Sequence, residues 1–144
     1  QAVAGFLCVI YHGLAVIHLL EGNLEAAWLR AMEALQVAEQ VNQLHIKGYA
    51  NRTLGEVLTD LKTAPDSRFS SDPDYYFRLS IEFLQELKAE AEIARTMFAQ
   101  AISLAKRGKR TTAAKILQQV MDMFTKLGMV DDAARAAEAQ LSLM

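Results

Sequence analysis

Proline is almost missing from this chain. Only Pro65 and Pro73 occur, and they sit close together. Outside that one stretch nothing rigidly interrupts a helix. Long runs of alternating apolar and polar residues are also missing, which excludes a fold built on half-buried strands. Cysteine is represented by Cys8 alone. An internal disulfide is therefore impossible, and a reducing, cytoplasmic setting is expected. No charge of one sign dominates, since the formal net charge is −2. That leaves no global field to gather nucleic acid, and no specific nucleic-acid partner is expected. Disorder is excluded from the other direction, because hydrophobic residues make up 52% of the chain.

Ala, Leu, Glu, Lys and Gln fill the remainder, and these residues favour helix. Helices are predicted over 2–20, 24–41, 44–61, 73–87, 89–107 and 109–127, with a seventh starting after Asp131 and reaching nearly to the C-terminus. Gly22, Gly108 and Gly128 suit left-handed C-terminal caps. Asn23, Asp72 and Asp131 suit N-caps, with Pro73 at the first helical position. On the second helix Ala27, Ala31, Ala34, Leu35 and Ala38 share one side, where small residues admit close neighbours. On the third, Ala50, Leu54, Val57, Leu58 and Leu61 form the apolar stripe. One real break runs from Lys62 to Asp72, rich in Ser, Pro and Asp, and its centre is expected to be the most mobile internal segment. A helix–turn–helix unit that recurs in this way signals an all-α helical repeat. The helices pair as first with second, third with fourth and fifth with sixth, leaving the seventh over. Leu14-Ala15 aligns with Leu54-Gly55.

The first twenty residues are apolar and long enough to span a bilayer. His12 and His18 interrupt them, and no basic flank marks a cytoplasmic side. A buried core helix is the expectation, not a membrane span. Because this helix is apolar on every side, an upstream repeat or a second copy of the chain is expected to cover it, most simply as a homodimer. The chain opens at Gln1 inside the helix, and residues 1–144 are read as one repeat domain, a piece of a longer or processed protein.

Residues that carry chemistry are sparse. His12 and His18 point about 120° apart on an ideal helix, and His45 is remote, so no metal site and no cofactor are expected. Lys106-Arg107-Gly108-Lys109-Arg110 is the strongest charge cluster, read as helix-end complements and solvated turn residues. Neither a Gly-x-Ser-x-Gly nor a phosphate-binding loop is present. Glu82, Glu86, Glu90 and Glu92 read as a solvated face with Lys88 and Arg95. Nothing here points to an enzyme.

The helix pairs resemble tetratricopeptide repeats. Ala15, Gly22, Ala27, Ala34 and Leu35 fit the motif in the first pair, Leu54 and Gly55 in the second, and Ala101, Gly108 and Ala113 in the third. Val120 departs from the usual small residue, and no Pro closes a unit. Asp72-Pro73-Asp74-Tyr75-Tyr76-Phe77, with Ser80-Ile81 and Leu84, is similar to the longer repeats in C-terminal regions of bacterial signalling ATPases, nucleotide cyclases and transcriptional regulators. The resemblance implies a right-handed stack of about three and a half repeats, with the first helix of each pair lining a concave face. It puts His12 and Val16 there from the first helix. From the third it puts Tyr49, Arg52, Thr53, Glu56 and Asp60, and from the fifth Arg95, Phe98, Ile102 and Lys106. The function implied is recognition of a protein or peptide partner, or of another part of the parent protein. A structural dimerisation module and a small-ligand sensor domain are the alternatives.

Overall fold

The computed structural model describes residues 2–144. Among them the secondary structure is seven helices and no strand: α1 Ala2–Leu20, α2 Leu24–Val41, α3 Leu44–Leu61, α4 Pro73–Glu86, α5 Glu90–Lys106, α6 Arg110–Lys126 and α7 Val130–Ser142. Each helix packs on the next, most extensively α1 on α2 and α3 on α4. Contacts of α1 with α3 and of α3 with α5 bring the first helices of successive pairs side by side. The protein is an all-α stack of antiparallel helix pairs.

The tight turns share one device. The N–H of Asn23 reaches the His18 carbonyl at 2.8 Å, and that of Gly22 reaches Leu19 at 3.1 Å. Lys109 to Leu104, with Gly108 to Ala105, repeats this pattern, as does Met129 to Phe124 with Gly128 to Thr125. These are Schellman caps, which need one residue at positive φ. Gly22, Gly108 and Gly128 supply it at 79°, 84° and 75°. The α4–α5 turn has the same bonds, from Ala89 to Leu84 and Lys88 to Gln85, but Lys88 holds the positive φ.

N-caps follow the sequence less closely. Asp72 accepts from the Asp74 N–H at 3.0 Å, with Pro73 in the first turn, as expected. Asn23 occupies the cap position of α2 without capping it; its amide reaches Glu21 Oε1 at 3.5 Å instead. Met129, not Asp131, stands at the cap of α7, and Asp131 lies inside the first turn. The ends of α4, α5 and α6 fall one residue inside the predicted limits, where Leu87, Ala89, Arg107, Lys109 and Leu127 act as flanking caps.

Small residues set the distance within each pair. A Cβ on Gly55 would stand 2.8 Å from the Phe77 ring, and one on Gly48 would stand 2.8 Å from Leu84. Ala94 and Ala101 hold the corresponding places on α5, packed with Leu117, Val120 and Phe124. Cys8 and Ala15 hold them on α1, against the Ala34–Ala38 and Ala27–Ala31 portions of α2. This register aligns Cys8 with Gly48 and Ala94, and Ala15 with Gly55 and Ala101. It also identifies the face each first helix turns to the pair before it. On α3 that face is Ile46, Ala50 and Val57, packed with alanines of α2. On α5 it is Glu92, Thr96 and Ser103, bonded to Arg52, Ser80 and Thr59 of the preceding pair.

On α1 the same face is Phe6, Ile10 and Ile17, and it is open, at 72%, 52% and 52% exposure. The expectation of a buried core helix is therefore corrected. Val3–Leu20 has a mean hydropathy of 2.1 and is long and apolar enough to cross a membrane, yet only 11% of it is buried. Among the described residues, α1 packs chiefly on α2 and on the edge of α3.

Candidate functional site

The first helices α1, α3 and α5 enclose a groove of about 490 Å³. Its walls include Arg52, Glu56 and Asp60 from α3, and Arg95, Phe98, Ile102 and Lys106 from α5. These were expected on the concave face, and the structure brings them together. Spacing by three and four residues puts them on one side of each helix. Leu19, Leu20, Thr59, Ala99 and Ser103 also line the groove and were not anticipated. Leu19 and Leu20 were hidden inside an unbroken apolar run, where no period marks a face. Val16 is half-buried and does not line the groove.

His12, Tyr49 and Thr53 form a cluster that continues from Arg52. His12 Nε2 lies 3.2 Å from Thr53 Oγ1, and its ring centroid is 5.8 Å from that of Tyr49. The Arg52 guanidinium covers the Tyr49 ring at 5.2 Å. Burial, reinforced by the positive charge of Arg52, lowers the His12 pKa to about 4, so the imidazole is neutral at pH 7. Burial also raises the Tyr49 hydroxyl.

A ladder of alternating charges ties α3, α5 and α7 together. Arg52 of α3 bonds Glu92 of α5 at 3.0 Å. Arg95 bonds Glu92 from the same helix, and lies 3.6 Å from Asp132 of α7. Arg135 closes the series on Asp132 at 3.2 Å. Burial of Glu92 works against its charge, but the two arginines outweigh it and hold its pKa below the usual carboxylate range. Glu56 is different. Burial raises its pKa, and the attraction of Arg52 and Lys106 does not cancel that effect. The groove thus holds apolar surface at Phe98, Ile102, Leu19 and Leu20, with charges of both signs around it.

Two expectations are corrected by this geometry, the second only in part. Glu92 does not belong to a solvated face; its side chain is 19% exposed and bridges two arginines. In the basic run Lys109 is an exposed turn residue, and Lys106 and Arg107 sit at the end of α5 as expected, but Lys106, Arg107 and Arg110 also have partners. Arg107 forks onto Asp74 at 2.8 and 3.2 Å, Arg110 donates to the Leu143 carbonyl, and Lys106 lies 3.5 Å from Asp60. Lys106, Arg107 and Arg110 point to different acceptors, because neighbours at a helix end fan outward.

No protein-family model and no curated protein matches the chain.

Proposed function

We propose that the domain is a non-catalytic recognition module that takes a protein or peptide segment in the groove between α1, α3 and α5. The segment belongs to a separate partner or to another part of the same parent chain. The observation that supports this most is the ladder from Arg52 through Glu92, Arg95 and Asp132 to Arg135, which joins α3, α5 and α7 before anything binds. A pre-ordered groove loses little entropy on docking. Phe98 and Ile102 offer an apolar seat, while Lys106, Asp60 and Glu56 offer both signs of charge to a flanking polar sequence. The helix pairs are read as tetratricopeptide-like repeats of a cytoplasmic bacterial signalling or regulatory protein, consistent with this mode of action.

A photo-crosslinking side chain at Ile102, in the intact parent protein within its cell, is expected to capture one defined protein or one defined segment of the parent. The same probe at the exposed Glu82 on α4 is the control. Equal capture from both positions would refute the reading. In addition, the open face of α1 is proposed to take a second copy of the chain, on the grounds that Phe6, Ile10 and Ile17 are exposed there.

A further inference from the structure

Charged rungs join α3 to α5 at two levels of the groove, and the level between them is incomplete. On α3 Arg52, Glu56 and Asp60 follow one another at a spacing of four, so they share one side of the helix. Arg52 turns to α5, where it donates to Glu92 at 3.0 Å and to Thr96 at 3.4 Å. Asp60 lies 3.5 Å from Lys106 of α5. Glu56 stands between these two rungs. Arg52 and Lys106 act on its carboxylate only through charge at a distance, and no hydrogen bond reaches it. The neighbouring hydroxyls are also engaged. Thr59 donates to the Gly55 carbonyl and meets Ser103 across the groove. Between Arg95 and Lys106 the α5 wall offers no cation, only Phe98, Ala99, Ile102 and Ser103.

Glu56 is nevertheless open to a visitor. It is half-buried, it lines the groove, and both of its oxygens are accessible. A carboxylate partly withdrawn from water and left unpaired is unfavourable, and burial accordingly raises its pKa. A cation brought to it restores the lost stabilisation. The attraction is stronger there than on an open surface, because less water screens it. An anion at the same place would meet like charge. The charges of the groove are thus complementary to a positive group at this level, and the apolar wall facing Glu56 on α5 suits an apolar neighbour of that group.

We infer that the segment taken by the groove carries a basic side chain, which binds the Glu56 carboxylate, beside an apolar side chain seated on Phe98 and Ile102. This rests on the reading of the groove as a recognition surface and adds the chemistry of its occupant. The basic group supplies the cation that the middle level lacks. The two existing rungs stay in place, since Arg52 and Asp60 keep their partners on α5.

Three capped peptides test this: acetyl-Gly-Leu-Arg-Leu-Gly-amide, and the same peptide with citrulline or Glu in place of Arg. Citrulline keeps the shape of arginine and removes its charge. Titrated into the ¹⁵N-labelled chain, the arginine peptide is expected to shift the Glu56, Phe98 and Ile102 backbone amides saturably. The citrulline peptide is expected to bind about three- to ten-fold more weakly, the loss of one charge-assisted contact, and the glutamate peptide more weakly still. In Glu56→Gln the arginine and citrulline peptides are expected to bind alike, with the helical circular dichroism retained. If that variant does not fold, Asp60→Asn serves, because Asp60 is exposed. It is expected to leave the arginine preference unchanged, and loss of the preference there would overturn the assignment to Glu56. Equal saturable shifts by the arginine and citrulline peptides in the wild type would overturn the cation and leave the groove a recognition surface. No saturation at the solubility limit of the arginine peptide would overturn the inference, while the crosslink at Ile102 decides the groove itself. n-Butylguanidinium is expected to bind far more weakly than the arginine peptide. Equal binding would assign the site to a free small cation and overturn the peptide occupant.

Discussion

Glycine has opposite consequences at two places in this chain. Gly55 sits under the Phe77 ring, where an added Cβ would approach to 2.8 Å. Phe77 is fully buried and cannot withdraw. Gly55→Ala is expected to destabilise by about 1–3 kcal/mol in chemical denaturation, overpacking outweighing the gain in helix propensity. A Cβ on Gly13 of α1 would meet nothing within 4 Å. Gly13→Ala should therefore stabilise by roughly 0.5–1 kcal/mol. The same sign for both would show that the α3–α4 spacing is not set by Gly55. His12 gives the second test at this scale. Its pKa falls from 6.5 to about 4 on folding, so between those values the unfolded chain binds the extra proton. The contribution is present above pH 6.5 and is lost as pH falls towards 4, on the order of 3 kcal/mol at most. Glu56 has a raised pKa, so its contribution has the opposite sign and is lost as pH rises above its ordinary value of 4.5. Comparing His12→Gln with the wild type isolates the histidine. The variant should lose less stability between pH 6.5 and 4, and parallel curves would contradict the burial argument.

At the scale of the element, what was legible is what local chemistry decides. Gly22, Gly108 and Gly128 mark turns because their positive φ is a property of one residue. Lys88 holds the same conformation at 53° without a glycine, imposed by the helices on either side of it. Lys88→Gly is accordingly expected to stabilise by about 1 kcal/mol. Gly108→Ala should cost about as much. Thermal unfolding of both variants checks the pair, and a destabilised Lys88→Gly would count against strain at that turn. The groove was legible on α3 and α5 because a helix of mixed composition shows its faces through spacing. Leu19 and Leu20 were not, since α1 is apolar all round. The role of Glu92 was hidden for another reason. Its partner Arg52 is remote in sequence, and only the stacking of α5 on α3 brings them to 3.0 Å.

At the scale of the molecule, the stack is open at its α1 end. Ile46, Ala50 and Val57 show how the chain itself treats this face on α3: they are 7%, 0% and 0% exposed beneath the alanines of α2. Phe6, Ile10 and Ile17 occupy the same register on α1 and face outward. Val3 and Leu20 are exposed on the same helix, and exposed apolar patches of this kind mark interaction surfaces. Between Ala2 and Leu20 there is no Lys, Arg, Asp or Glu. In the proposed pairing two copies of α1 would meet across a two-fold axis without like-charge repulsion, each patch against its equal. The proposed pairing predicts that sedimentation equilibrium of the 144-residue chain shows a reversible dimer. The triple variant Phe6→Gln, Ile10→Gln and Ile17→Gln should be monomeric with its helical content retained. A wild-type chain that stays monomeric at the highest accessible concentration would overturn the pairing. Partition of the wild type into uncharged phospholipid vesicles in preference to self-association would assign the face to a bilayer instead. The exposed face, not the α1–α2 contact, carries this prediction, because Cys8 and Ala15 are already packed within the chain and are untouched by the three substitutions.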